Sequence, residues 1–320
     1  MEFSLTILGS SSAMPTSKRF PTAHLLKVNE RFFLIDCGEG IQIQLRRYKL
    51  GFAKISRIFI SHIHGDHVFG LFGLLSSFQL LNRKNDVHIH GPGELRELIR
   101  FYEKYFGTEQ SYRILVHPLG YTRKMLIYEN EKVEVYSFPL KHRVPTCGFL
   151  FREKPADLNL IKEALDKYKP GIENIRKIKK GEDLILNDGK LISNSLLTLP
   201  PWKTRSYAYC SDTSFDPELS EILQEVDLLY HEATFSRDDE ELANLTGHSS
   251  SVQAASIALA CNAGKLLIGH FSSRYKYPEI LLNEAQEIFN NTFAVNDGDK
   301  FDVLRIRNEK HQSFGFQETD

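Results

Sequence analysis

A chain of 320 residues with 42% hydrophobic and 25% charged side chains can bury a sizeable core, as one large domain or two smaller ones. Its formal charge of −1 excludes a globally basic nucleic-acid binder, and four scattered cysteines (Cys37, Cys147, Cys210, Cys261) without a CxxC pair exclude a disulfide framework and a thiolate zinc site. With no apolar run of about 18 residues and a start too short and acidic for a signal peptide, the expectation is a soluble cytoplasmic protein with no membrane partner.

Residues 3–8 alternate apolar and polar and stop at Gly9-Ser-Ser-Ser, and residues 23–28 and 31–35 flank an Asn29-Glu30 turn, so the chain opens as a β-meander. A short apolar run at 57–60 ends on Ser61-His62, and a helical pattern over 71–81 follows, so a histidine-rich loop sits between a strand and a helix. Beyond it, 87–90 reads as strand, 94–106 as helix, and 112–116 and 132–138 as strands. Short strands at 207–210, 228–230 and 265–268, each followed by a polar or ionisable residue, alternate with helices at 249–260 and 278–289. Two strand-rich halves with outer helices make an α/β sandwich of four layers, αββα, in one domain over residues 1–320.

One stretch departs from this grammar. Residues 151–205 carry 12 Lys or Arg against 8 Asp or Glu, while the remainder is net acidic. The densest part, Arg176-Lys177-Ile-Lys179-Lys180, follows Pro170-Gly171 and precedes Gly181, the punctuation of a loop or of a projecting helix hairpin. On charge alone, a solvated surface excursion explains it as well as a polyanion site does.

Chemistry concentrates in His62-Ile-His64-Gly65-Asp66-His67, three imidazoles and a carboxylate in six residues after an apolar strand. Imidazole nitrogens and carboxylate oxygens are the donors zinc prefers, and Gly65 is expected to let the loop turn tightly. A closed structural zinc site is disfavoured because no cysteine lies near this loop. Further donors stand just beyond apolar runs: His142, Asp212 and His270. Together they complete two coordination spheres, His62, His64 and His142 around one ion and Asp66, His67 and His270 around the other, with Asp212 able to bridge. The same donors would also accept manganese or iron. The other histidines are read as structural: His88 and His90 share a strand face before the Gly91-Pro92-Gly93 turn, His24 and His117 lie in strand-like runs, His231 packs beside the site, and His311 sits in a polar tail.

The ligand pattern resembles that of the metallo-β-lactamase superfamily. More narrowly, Leu34-Ile-Asp-Cys-Gly-Glu-Gly, Ser61-His-Ile-His-Gly-Asp-His, His231-Glu-Ala-Thr-Phe, Gly247-His-Ser-Ser and His270-Phe-Ser-Ser-Arg-Tyr resemble the motif series of the ribonuclease Z family, over nearly the whole chain. The resemblance implies an endoribonuclease with two zinc ions per subunit that cuts precursor tRNA after the discriminator base and leaves a 3′-hydroxyl. It makes Asp66 a proton acceptor for the attacking water as well as a ligand, and His248 with Glu232 the acid pair serving the leaving oxygen; the alternative is that these two only support ligands. Asp36 is expected to anchor the histidine loop.

It further implies that residues 151–205 are an arm gripping tRNA, with Arg176, Lys177, Lys179 and Lys180 on phosphates, although the tip departs from the family's Gly-Pro-rich form. Lys18 and Arg19, in Pro15-Thr-Ser-Lys-Arg-Phe, resemble a basic loop near the discriminator, and a homodimer is implied. Two rival readings stay open: another dizinc phosphodiesterase or arylsulfatase-type hydrolase on the same scaffold, and a non-catalytic RNA-binding scaffold.

Overall fold

The computed structural model describes residues 2–107 and 111–307, so His311 lies outside the described residues. Among these residues the chain forms two seven-stranded mixed sheets. The first runs, in spatial order, Lys300–Asp302, Phe3–Gly9, Ala23–Val28, Arg31–Ile35, Ile55–Phe59, Val87–Gly91 and Ile114–Pro118. The second runs Thr292–Ala294, Leu266–Gly269, Leu228–Glu232, Ser206–Cys210, Thr146–Glu153, Val133–Leu140 and Met125–Glu129.

Three hydrophobic clusters define the layers. In Arg31–Ile35, Phe33 and Ile35 point to one face, where they meet Phe149, Phe151, Tyr207 and Leu267 of the other sheet; Leu34 points to the opposite face, onto Leu45, Leu71 and Leu75 of the helices Ile41–Arg47 and Gly70–Leu80. On the far side of the second sheet, Leu229, Ile268 and Ala208 pack on Ala255, Ala258 and Leu281 of Ser251–Ala260 and Glu279–Gln286. Successive side chains in a strand alternate faces, so a strand covered on both sides must be apolar at nearly every position. Runs such as Phe32-Phe-Leu-Ile and Leu266-Leu-Ile meet that requirement, and the expected αββα sandwich is the result.

A second compact unit comprises Glu153–Arg205 with, among the described residues, Leu304 to Arg307. Its core is small: Ala164, Ile178, Leu184, Ile192 and Leu197. It carries the helices Lys162–Tyr168 and Ile172–Lys179, joined through Lys169 at φ 43°, Pro170 and Gly171, and two two-stranded ladders. Glu153 closes this unit against Arg205 with a two-pronged ion pair of 2.7 and 2.8 Å. The boundary at 151 is corrected by two residues. Phe151 and Arg152 belong to the strand Thr146–Glu153, and Phe151 is buried between the sheets. No strand was expected there, because a run apolar on both faces lacks the alternation that marks a half-exposed strand. The strand expected at 112–116 starts later, at Ile114. Among the described residues, no helix is long and apolar enough to cross a membrane.

Candidate metal centre

The site is built at the carboxyl ends of parallel strands. Arg31–Ile35 and Ile55–Phe59 are parallel neighbours, as are Ser206–Cys210, Leu228–Glu232 and Leu266–Gly269. The residues that follow or end them are Asp36, Ser61 through His67, Asp212, Glu232 and His270. Strand ends buried on both sides are stiff mounts, and in open α/β sheets ligands gather at this edge. Asp36 and His270 take left-handed backbone, φ 53° and 61°, immediately after their strands. That conformation costs a residue with a Cβ about 1 kcal/mol or more, and here it turns each side chain back toward the site. Gly65 differs from expectation: it opens the short helix Gly65–Val68 without a positive φ, and a Cβ there would strike the ring of Phe69.

Two groups of donors result. The ligand atoms of His62, His64, His142 and Asp212 lie within 4.8 Å of one another, and so do those of Asp66, His67, Asp212 and His270. In the first, His62 Nε2 is 3.0 Å from His64 Nδ1 and 3.7 Å from Asp212 Oδ2, and His142 Nε2 is 3.4 Å from His64 Nδ1. In the second, His67 Nε2 is 3.3 Å from Asp66 Oδ2 and 3.4 Å from Asp212 Oδ1, with His270 Nε2 3.2 Å from that same oxygen. Four donors around a tetrahedral ion at about 2.0–2.1 Å are separated by roughly 3.3 Å, the spacing found here. Asp212 gives Oδ2 to one group and Oδ1 to the other.

Hydrogen bonds on the outer ring nitrogens decide what these donors can hold. His142 Nδ1 donates to the Gly247 carbonyl (2.6 Å), and His67 Nδ1 donates to Asp36 Oδ2 (2.7 Å). His270 Nδ1 donates to Thr234 Oγ1 (2.8 Å), whose own proton goes to Glu232 Oε2, and His62 Nδ1 donates to Ser61 Oγ (3.0 Å), whose proton goes to Asp36. Each ring is thereby left with a bare Nε2 lone pair facing the centre. His67 Nε2, His270 Nε2 and Asp212 Oδ1 are buried without a hydrogen-bond partner. Lone pairs and carboxylates crowd one place with no proton between them, an arrangement that is costly unless a cation neutralises it. Burial disfavours a charged His67, yet Asp66, Asp212 and Asp36 drive its pKa well above the usual imidazole value, which expresses the same demand for positive charge. The donor set fits divalent metal ions.

The supporting layer is dense. Buried Asp36 accepts from the Ser61 backbone N–H, Ser61 Oγ, His67 and Tyr209. Glu232, also fully buried, accepts from the backbone N–H groups of Thr213 and Thr234, from Thr234 Oγ1, and from His248 Nδ1 at 2.8 Å. Burial opposes a charged His248, but the Glu232 carboxylate outweighs it and lifts the imidazole to about 9. His248 therefore carries a proton at neutral pH, and its Nε2 is turned from Glu232. A cavity of about 220 Å³ brings His248 together with His64, Asp66, Asp212 and His270.

Other expected residues lie apart from this centre. Lys18 and Arg19 line a neighbouring cavity of about 460 Å³ with Phe271, Lys276 and Tyr277; Arg19 donates to Asn296 and lies over the Phe271 ring. Arg176 and Lys177, on the exposed side of Ile172–Lys179, and Lys180 face solvent, while Lys179 is half-buried. His88, His90 and His117 stack between strands, His24 is buried against Tyr207, and His231 bonds the Glu232 carbonyl. Thr234, Tyr209 and the Gly247 carbonyl were not singled out from the sequence. Thr234 and Gly247 stood inside quoted motifs, but a threonine or a backbone carbonyl has no spacing signature.

Comparisons with known proteins agree with this geometry. A family model described as Anti-Pycsar protein Apyc1 matches residues 3–100, a stretch that includes the histidine loop and ends before His142, Asp212 and His270. Ribonuclease Z of Bacteroides thetaiotaomicron is 45% identical over 296 residues, 92% of this chain and 94% of that protein. Ribonuclease Z of Phocaeicola vulgatus is 41% identical over 306 residues, 96% and 99% of the two chains. The crystal structure of human tRNase Z, short form, superposes with a TM-score of 0.69 at 26% identity, covering 93% of this chain and 98% of that one. With identity above 40% over more than nine-tenths of the chain and of each of these two relatives, the chain belongs to the ribonuclease Z family, endoribonucleases of the metallo-β-lactamase fold.

Proposed function

We propose that this chain removes the 3′ trailer from precursor tRNA, using two zinc ions held as the donor groups are arranged: His62, His64 and His142 on one, Asp66, His67 and His270 on the other, and Asp212 on both. The observation that carries this reading is the division of Asp212, one oxygen to each group, because a carboxylate offered to both groups would serve two ions acting on one phosphate. When bound, such ions would supply Lewis acidity, lowering the pKa of a water toward neutrality and offsetting charge on the phosphoryl oxygens.

The chain's own residues do the rest. Asp66, whose carboxylate lines the cavity, orients the attacking water and accepts its proton. The water oxygen forms a bond to phosphorus as the bond from phosphorus to O3′ breaks, and O3′ departs with the electron pair. His248 Nε2, charged through its bond to Glu232, gives O3′ a proton; the products are a tRNA 3′-hydroxyl and a trailer with a 5′-phosphate. Arg176, Lys177, Lys179 and Lys180 would meet tRNA phosphates on the 153–205 unit, and Lys18 and Arg19 those nearer the cut. A homodimer, in which one subunit's arm presents RNA to the other's site, is part of the same reading.

Metal analysis coupled to a mapped cleavage of precursor tRNA tests it. Two zinc ions per chain and one cut beyond the discriminator base are expected. Hydrolysis of bis(p-nitrophenyl) phosphate with precursor tRNA left intact at low salt would instead assign a different phosphodiesterase to the same centre.

A further inference from the structure

The 220 Å³ cavity is lined by one arginine and no lysine, and the side chain of that residue, Arg143, makes no hydrogen bond or ion pair among the described residues. Its basic neighbours are committed elsewhere. Lys141 pairs with Asp216 at 2.8 Å, and Arg274 pairs with Asp239 at 3.1 Å while lying over Phe235. Arg143 is exposed, and what sets it apart from other surface arginines is its place on the wall of a cavity shared with Asp66, Asp212 and His248, whose carboxylates are already engaged by imidazoles.

The base of Arg143 is fixed. It follows His142, whose Nδ1 donates to the Gly247 carbonyl at 2.6 Å. Gly247 takes φ +77°, and a Cβ there would stand 2.9 Å from His142 Nδ1 and 3.4 Å from Arg143 Cγ. The start of the arginine stem thus lies along the bare side of a glycine whose carbonyl also orients a metal donor, so the ligand and the root of the arginine side chain are placed by one contact.

We infer that Arg143 is a catalytic residue: its guanidinium holds a non-bridging oxygen of the scissile phosphate and stabilises the second negative charge those oxygens acquire as the water oxygen adds. The inference rests on the phosphodiester-cleaving reading above. A diester carries one charge and its five-coordinate transition state carries about two, so a planar cation offering paired N–H donors gains most at the transition state.

The test compares wild type, Arg143→Ala and Arg143→Lys on precursor tRNA and on bis(p-nitrophenyl) phosphate, with bound metal and melting temperature measured for each. Loss of one such positioned donor is worth about 10²–10³ in kcat. Arg143→Ala should lose about that factor in kcat on both substrates, with KM, metal content and melting temperature near wild type; Arg143→Lys should recover part of it, and added guanidinium should partly rescue Arg143→Ala. A kcat within about threefold of wild type overturns the inference. So does a loss confined to KM on tRNA with the small diester unaffected, which would make Arg143 an RNA contact, and so does lost metal, which would make it a support for His142. Failure of the wild type to cut precursor tRNA would sink the tRNA reading, while the small-diester rates still decide the role of Arg143.

Discussion

The strand-end centre and the 153–205 unit are specified in opposite ways. At the centre, seven donors come from both halves of the chain, His62, His67, His142 and His270 are each held by a hydrogen bond on the outer ring nitrogen, and Asp36 alone accepts four bonds. In the other unit a core of five apolar side chains supports Arg176, Lys177 and Lys180, whose side chains are exposed and show no hydrogen bond or ion pair among the described residues. Bond-making on phosphorus tolerates errors of a fraction of an ångström, whereas attraction between lysines and a phosphate backbone tolerates several ångströms. The first region should fail abruptly when one atom is removed, and the second should fail by degrees.

The sharpest break is Asp66→Ala. It removes a donor and the proton acceptor together, so cleavage should fall by at least about 10²–10⁴ while precursor tRNA still binds, as read by single-turnover rates and filter binding. Unchanged turnover would remove Asp66 from the chemistry. Next in size is the effect of stripping metal. Ions that bind only the folded centre stabilise it by about 2.7 kcal/mol at a hundredfold excess over Kd, so chelation should lower the melting of the sandwich by that order. Trp202 is the chain's single tryptophan and lies in the smaller unit, where Arg307 covers its ring. Its fluorescence transition should not move on chelation, and a parallel shift would mean that the two units melt as one. Asp36→Asn comes third. It exchanges a carboxylate for an amide behind His67, and loss of such a partner costs about 10–100-fold in metal affinity, measurable by competition with a chromogenic chelator.

What the amino-acid sequence disclosed follows the same division. His62, His64, Asp66 and His67 were legible because metal chemistry demands particular atoms, and His142, Asp212 and His270 because each stands just past an apolar run. Their supports were less so: Thr234 acts through one hydroxyl and Gly247 through a carbonyl, groups that occur throughout any chain. The strand Thr146–Glu153 was missed since both its faces are buried, and the edge strands Thr292–Ala294 and Lys300–Asp302 are too short to show a period. In the smaller unit the excess of positive charge was visible at once, but its ladders of two residues per strand were not, being set by contacts with Ile178 and Leu197 rather than by local propensity.

Neutralising Arg176, Lys177, Lys179 and Lys180 by alanine should behave as the gradual case. Each charge that touches phosphate contributes roughly 0.7–0.9 to the slope of log affinity against log salt, so the quadruple variant should bind precursor tRNA about tenfold or more weakly near 0.1 M salt, with a flatter slope. Hydrolysis of bis(p-nitrophenyl) phosphate should not change. Equal loss on both substrates would mean that these residues serve the fold.

Acid should separate the two regions most gently. Burial holds His24 and His90 at about 3, and His117 and Arg57 add to the effect on His90, whose Nε2 already accepts from Arg57 at 3.1 Å. Unfolded, each imidazole titrates near 6.5, so below that pH the unfolded chain binds protons that the folded sandwich refuses. Stability contributed by these two groups is complete above pH 6.5 and is lost as pH falls toward 3, at up to about 1.4 kcal/mol per pH unit for each. Between pH 6.5 and about 5.5, before most carboxylates begin to titrate, the denaturation midpoint of the sandwich should fall. His90→Gln, which can still accept from Arg57 and cannot take a proton, should flatten that slope by up to about 1.4 kcal/mol per pH unit. Residues 153–205 contain no histidine, so the Trp202 transition should stay level across the same window. A Trp202 midpoint that tracks the sandwich would show that the arm has no stability of its own, and the contrast between the two regions would then be one of chemistry but not of folding.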